Sequence, residues 1–178
     1  MKLFVGIELP DNIKDYLYKL QSGLKNSKLA KVNWCFKKNF HQTLKFLGEV
    51  PEDKLDELKN KLRNIKYNEF KLKLTEIGFY PSEQRINVVW VGVEPENEII
   101  ELRKLVDAET MELGDMKSGV HITLGRVKFV RDKKKFKEKL KNVKVESLSF
   151  GVGSFALFSS TLSKDGPSYN VLERYGLV

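Results

Sequence analysis

Two tetrapeptides of one pattern, His-x-Thr-Leu, occur far apart in this chain, at His41 to Leu44 and at His121 to Leu124. They contain both histidines of the sequence. Each tetrapeptide lies in a run of apolar and β-branched residues that predicts a β-strand. The repeat therefore predicts two strands of similar structure, one in each half of the chain.

The spacing within each motif predicts the face of the strand on which each side chain lies. Side chains two positions apart on a strand point to the same face, about 7 Å from each other. We therefore expect His41 and Thr43 to share one face, and His121 and Thr123 to share another. The leucine of each motif would point to the opposite face, into a core.

Length and composition favour one domain, and its 178 residues with 41% hydrophobic content are enough for a sizeable core. The single cysteine, Cys35, excludes an intrachain disulfide and a cysteine-rich zinc site. No apolar stretch approaches about 20 residues and no cleavable signal is visible, so we expect a cytoplasmic protein without a membrane partner. The formal net charge of +8 favours polyanionic partners, nucleic acid first.

Hydrophobic periodicity predicts helices and strands that alternate along the chain. Pro and Asp residues mark the starts of several helices. The predicted elements are a strand at 3–9, a helix from Asp11, the first motif strand, a helix from Pro51, strands at 70–74 and 85–93, a helix at 97–114, the second motif strand, a helix at 132–143 and three short strands in the tail.

The two halves repeat one order of elements, which predicts an internal duplication within a single domain over 1–178. A motif strand, an amphipathic helix and further strands occur over 39–93 and again over 119–162. Two such units packed about a pseudo-twofold axis would bring their polar faces together across a cleft. Two imidazoles and two hydroxyl groups would then converge.

Such a set of side chains suits cleavage of a phosphodiester. One neutral imidazole can take a proton while a protonated one gives a proton near neutral pH. The hydroxyl groups of Thr43 and Thr123 can donate hydrogen bonds to phosphate oxygens. A metal held by two histidines would need carboxylate ligands that the sequence does not place, so we expect neither a metal nor another cofactor.

Two further side chains are candidates for substrate binding. Arg126 could bind a phosphate, although strict alternation from His121 places it on the opposite face unless the strand ends or bulges there. Among aromatic residues that could stack on a nucleobase, Tyr80 is favoured because it lies in a predicted loop beside Pro81. The other stacking candidates are Trp34, Phe46 and Phe79.

The sequence resembles the 2H phosphoesterase family, specifically its RNA 2',3'-cyclic phosphodiesterase branch, also called 2'-5' RNA ligases. The resemblance runs nearly end to end and is carried by HQTLKFLGE at 41–49, GFYP at 78–81, VHITLGRVK at 120–128 and SSTL at 159–162. It implies a bilobal α+β fold in which two antiparallel β-sheets enclose a central cleft, with helices packed on the outside. Gln42 and Val120 depart from the residues usual at those positions, and neither removes a catalytic group.

The resemblance also implies hydrolysis of a 2',3'-cyclic phosphate at an RNA end to a 2'-phosphomonoester without a metal. We expect a monomer, with tRNA fragments among the candidate substrates. On the family's pattern His41 would be the acid and His121 the base, with Thr43, Thr123 and Arg126 on the phosphate. Two alternatives stay open at this point: an RNA-end-binding protein without turnover, and a phosphodiesterase of small cyclic nucleotides. The reverse reaction, 2'-5' ligation, uses the same groups.

Overall fold

A computed structural model describes residues 1–116 and 119–178 of the chain, and in this part of the chain nine strands and four helices form an α+β fold. Every strand pairing is antiparallel. The elements are β1 (Lys2–Glu8), α1 (Asp11–Lys25), β2 (Ala30–Trp34), β3 (His41–Glu49), α2 (Leu55–Arg63), β4 (Phe70–Pro81), β5 (Ile86–Glu94), α3 (Glu96–Glu109), β6 (His121–Val130), α4 (Lys133–Asn142), β7 (Ser149–Val152), β8 (Ser154–Ser163) and β9 (Gly166–Gly176).

The two predicted antiparallel sheets are present, and they are joined edge to edge. One sheet contains β1, β3, β8 and β9, and the other contains β2, β4, β5, β6 and β7. They meet where β3 runs beside β6, at the pair Gln42 and Ile122. The α+β class and the antiparallel pairing predicted from the sequence are confirmed, and the junction makes one continuous sheet of the two.

The helices cover the face of the sheet away from the motif histidines. Lys45, at the back of β3, donates hydrogen bonds to the Asp107 carboxylate and to Thr110 of the α3 segment. Gln21 of α1 reaches the backbone of β6 at Leu124. Leu44 and Leu124 lie fully buried in the core on this side, as their place in the motifs predicts.

Each motif strand begins at its histidine, because a turn or loop precedes it. A 3-10 turn over Lys37–Asn39 separates β2 from β3, so the apolar run 32–36 does not continue into the motif strand. Strand β2 pairs instead with β6, in the other sheet. Each histidine is therefore the first residue of its strand.

Two other features bear on the predictions from sequence. The loop predicted around Tyr80, between the strands at 70–74 and 85–93, is wrong over its first part, because β4 continues to Pro81 and Gly78 pairs with Trp90 of β5. The predicted duplication of 39–93 and 119–162 stays a prediction; both units show the order of a motif strand, a helix and two strands. Within the described ranges, no helix is both long and apolar enough to cross a membrane.

Candidate active site

A cleft of about 1020 Å³ lies where the two sheets meet. Its walls come from both sheets, from the segment between β2 and β3, and from the hairpin of β8 and β9. All of the site residues predicted from the sequence line this one cleft: His41, Thr43, Tyr80, His121, Thr123 and Arg126.

The pairing of Gln42 with Ile122 sets the arrangement of the two motifs. In an antiparallel ladder the residues that flank a pair face each other across the strands, about 5 Å apart at the backbone. His41 therefore lies across from Thr123, and Thr43 lies across from His121. Each imidazole has one threonine on its own strand and one on the neighbouring strand.

His41 is held in one orientation because both of its ring nitrogens take part in hydrogen bonds. Its Nδ1 lies 2.7 Å from the carbonyl oxygen of Asn39, which can only accept, so Nδ1 carries a proton. In the neutral ring Nε2 accepts from the Thr43 hydroxyl at 2.8 Å. Burial lowers the pKa of His41, and the hydrogen bond to Asn39 opposes that shift because it favours the imidazolium.

His121 lies in a more positive environment than His41. Burial lowers the pKa of His121 to about 4, and the positive charges of Arg103 and Arg126 contribute to this shift. Its Nδ1 makes no hydrogen bond to a residue in 1–116 or 119–178. Burial and these positive charges therefore favour a neutral imidazole at this position, which is the form that accepts a proton.

A β-bulge brings Arg126 into the cleft. On β6, Thr123 pairs with Trp90 and Gly125 pairs with Val89, so Leu124 is left out of the ladder. One extra residue reverses the alternation beyond it, and Arg126 therefore shares the face of Thr123. The arginine forms no salt bridge with a described residue and its side chain is exposed to the cleft.

Strand β3 contains the same bulge, and it brings Phe46 into the cleft. Thr43 pairs with Gly6 and Lys45 pairs with Val5, so Leu44 is left out in the same way as Leu124. Phe46 stands five positions after its histidine, as Arg126 does after the other one, and is 46% exposed. At corresponding places the cleft thus has an aromatic ring on one strand and a guanidinium group on the other.

Tyr80 lines the cleft from a strand and not from the predicted loop. It pairs with Val88 of β5, and its ring lies 5.0 Å from that of Trp90 and 5.1 Å from that of His121, edge on to the latter. Its neighbour Phe79 packs against the core and does not line the cleft. Tyr80 therefore supports the histidine directly, while one of its faces is already used by Trp90.

Buried polar groups connect the two motifs on the side of the sheet away from the cleft. The Gln42 amide donates to the carbonyl oxygens of Thr43 and Gly119, at 2.8 and 3.4 Å. Nη2 of Arg103, on α3, donates to the same two oxygens at 3.2 and 3.3 Å. Gln42, which departs from the apolar residue of the family pattern, therefore takes part in a polar contact between the two halves.

Several residues around His41 were not predicted from the sequence. Phe4 and Tyr169 surround the His41 ring, at centroid distances of 4.9 and 5.3 Å. Asn39 also donates from its side chain to the Pro167 carbonyl, which ties the β8–β9 hairpin to the residues before His41. Of these residues, only Asn39 could have been found from the sequence. It stands two residues before one motif histidine, as Gly119 does before the other.

Over 1–116 and 119–178, no group of three or more His, Cys, Asp and Glu side chains is placed to hold a metal ion. The polar groups that face the cleft from the two motif strands are two imidazoles, two hydroxyl groups and one guanidinium group. Such groups can transfer protons and bind an anion.

Comparison with known proteins identifies relatives over nearly the full length. A family model described as LigT like Phosphoesterase matches residues 7–90 and 91–169. A protein of Methanocaldococcus jannaschii named RNA 2',3'-cyclic phosphodiesterase is 37% identical over 179 residues, which cover 98% of this chain and 100% of the relative. A protein of the same name from Methanothermobacter thermautotrophicus is 32% identical over 185 residues, with 99% of each chain covered.

A solved structure shares the fold. The crystal structure of E. coli LigT in apo form superposes with a TM-score of 0.78 at 25% sequence identity, covering 99% of this chain and 96% of that one. The resemblance seen in the motifs is thereby confirmed. The chain belongs to the LigT-like family of 2H phosphoesterases.

Proposed function

We propose that this protein is an RNA 2',3'-cyclic phosphodiesterase, which opens a terminal 2',3'-cyclic phosphate and leaves a 2'-phosphomonoester. The observation that carries the proposal is the convergence of both His-x-Thr pairs and Arg126 on one cleft. The names of the two archaeal relatives support the choice of substrate.

In the proposed mechanism His121 is the general base. A water molecule attacks the phosphorus in line with the bond to O3', and the neutral imidazole takes the proton of that water. The lowered pKa of His121 supports this role, because the ring stays neutral beside Arg103 and Arg126. A cation at this position would be unable to accept the proton.

His41 is the general acid of the same reaction. As the bond from phosphorus to O3' breaks, Nε2 of His41 gives its proton to O3', and the phosphate stays on O2'. The hydrogen bond from Nδ1 to the Asn39 carbonyl stabilises the protonated ring. The negative charge of a bound phosphate also raises the pKa of this imidazole and so helps to protonate it.

Thr43, Thr123 and Arg126 bind the non-bridging oxygens. The Thr123 hydroxyl makes no hydrogen bond to any described residue, and the Thr43 hydroxyl can turn from His41 to a bound anion. A guanidinium group without a carboxylate partner is suited to a phosphate. Since two imidazoles perform the proton transfers and these three groups hold the charge, the mechanism needs no metal or cofactor.

The size of the cleft and the charge of the protein favour an RNA end over a small cyclic nucleotide. A volume of about 1020 Å³ lies at the upper limit of small-molecule sites, which range over roughly 300–1,000 Å³. Fragments of tRNA that end in a cyclic phosphate belong to the proposed substrate class. One chain supplies the described lining of the cleft, which supports the proposal of a monomer. We also propose a cytoplasmic location, in keeping with the proposed RNA substrate.

The direct test uses an RNA oligonucleotide with a 2',3'-cyclic phosphate end, in EDTA, with the natural protein, His41→Ala and His121→Ala. We expect a 2'-phosphate product from the natural protein alone. Binding without turnover would favour the RNA-end-binding alternative, which does not require two titrating groups. Faster turnover of 2',3'-cyclic AMP, unaffected by competing RNA, would favour the small-nucleotide alternative.

A further inference from the structure

Gln21 is a fully buried polar side chain on α1, on the far side of the sheet from the cleft. Its amide nitrogen donates two hydrogen bonds, to the carbonyl oxygen of Cys35 at 2.8 Å and to that of Leu124 at 2.9 Å. Most of the buried face of α1 is apolar, with Ile13, Leu17 and Leu24 in the core. A buried amide among such residues is explained by the groups that it binds.

Leu124 is the bulged residue of β6. Because the bulge takes it out of the β5 ladder, its carbonyl oxygen has to find donors elsewhere. It accepts from the backbone nitrogen of Cys35 at 2.9 Å and from the amide of Gln21. Gln21 therefore binds the residue that gives Arg126 its orientation.

We propose that Gln21 is a positioning residue for the phosphate-binding group of the cleft: it stabilises the bulge at Leu124, and the bulge directs the Arg126 guanidinium into the cleft. The inference rests on the proposed function only through the role of Arg126 as a phosphate ligand. It assigns a role in anion binding to a side chain that never contacts the anion.

The physical argument concerns the alternation of β6. In a regular strand, residues 121, 123 and 125 would share the cleft face and Arg126 would point to the helices. Only the extra residue at 124 reverses this. Without Gln21, the Leu124 carbonyl loses one of its two donors at a buried position, and the part-buried Cys35 carbonyl loses a donor as well. The bulged conformation therefore loses stability relative to conformations that turn Arg126 away.

The test measures the affinity for inorganic phosphate by calorimetry in five proteins. These are the natural protein, Gln21→Met, Arg126→Met, the double variant and Leu17→Ala. Methionine keeps the length and helix propensity of glutamine and removes its donors. Leu17→Ala is the matched control, because Leu17 is fully buried on the same helix and its side chain has no donor for the Leu124 or Cys35 carbonyl.

We expect Gln21→Met and Arg126→Met each to weaken phosphate binding by roughly 10- to 100-fold, as for loss of a hydrogen-bonded charged group. The double variant should be no weaker than Arg126→Met. Leu17→Ala should lower the melting temperature and leave phosphate affinity unchanged. If Gln21→Met does not fold, Gln21→Asn takes its place as a milder change that keeps an amide on a shorter side chain. Gln21→Asn should give an intermediate loss of phosphate affinity.

Three results would contradict the proposal. Unchanged phosphate affinity in Gln21→Met would overturn the proposal, and so would an equal further loss when Gln21→Met is added to Arg126→Met. Failure of the natural protein to bind phosphate would overturn it as well. Because phosphate binding needs no turnover, these outcomes are independent of whether the protein hydrolyses an RNA cyclic phosphate.

Discussion

Leu44 of β3 and Leu124 of β6 occupy corresponding places: each is the residue that its strand leaves out of the ladder, three positions after the motif histidine. A shared bulge explains why both strands present His, Thr and the fifth residue on one face. The leucine of the motif therefore does more than fill the core. It marks the point where the strand changes the direction of its later side chains.

The pH dependence of turnover should reflect the lowered pKa values of both histidines. The active form has one protonated and one neutral ring. Burial lowers the pKa of both histidines below the usual value of about 6.5, so both rings of the free enzyme are already mostly neutral at that pH. We therefore expect kcat/KM to be bell-shaped against pH with its maximum below 6.5. Bound phosphate favours protonation, so the maximum for kcat should lie at higher pH. A profile with a single limb would contradict the paired roles of His41 and His121.

Replacement of Arg103 should change the titration of His121. Removing this buried cation in Arg103→Met should raise the pKa of His121 towards its usual value, whereas Arg103→Lys, the matched control, keeps the charge. The ring signals of the two histidines can be followed by NMR as pH is varied, and His41→Ala assigns them. Equal His121 titration in both variants would show that the charge of Arg103 is unimportant there.

Phe46 and Tyr80 should affect different kinetic constants. Stacking of a base on an exposed ring contributes about 1–3 kcal/mol, so Phe46→Ala should raise KM for RNA by roughly 5- to 150-fold with little change in kcat. Tyr80→Ala should lower kcat, because the Tyr80 ring supports His121. Met111→Ala, at another exposed apolar residue, serves as the control. A larger rise in KM for Tyr80→Ala would reverse these assignments.

Gly125 should tolerate no larger side chain. A Cβ atom there would lie 2.6 Å from Cγ1 of Val32 and 2.9 Å from Cε3 of Trp34, because β2 packs closely over the bulge. Gly125→Ala should lower the free energy of unfolding by about 1–3 kcal/mol in urea denaturation. Gly151→Ala has no atom within 4 Å of the added methyl group and should be close to neutral. Similar losses in both would argue against crowding as the cause.

The sequence was sufficient for the features that follow from local pattern. Helix α1 begins at Asp11 as predicted, and the spacing of His41 and Thr43 gives their common face correctly. These succeed because periodicity acts over a few residues. The catalytic roles of the motif residues stay predictions, which the experiments above address.

The features that could not be predicted depend on contacts between distant segments. Strict alternation places Arg126 on the wrong face, and only the pairing of β6 with β5 reveals the bulge. The loop predicted around Tyr80 is a strand, since Gly78 makes room for the ring of Trp90 on β5. Both outcomes are set by neighbouring strands and not by the residues on either side in the chain.

Phe46 and Arg126 make the two sides of the cleft chemically different. The two motif strands share the same bulge on either side of the junction. A symmetric cleft could hold a nucleic acid strand in either polarity. An aromatic ring at one side and a guanidinium group at the other break that equivalence. We therefore expect a bound strand to enter in a single 5'-to-3' sense, so that one of its two ends, and not the other, reaches the histidines.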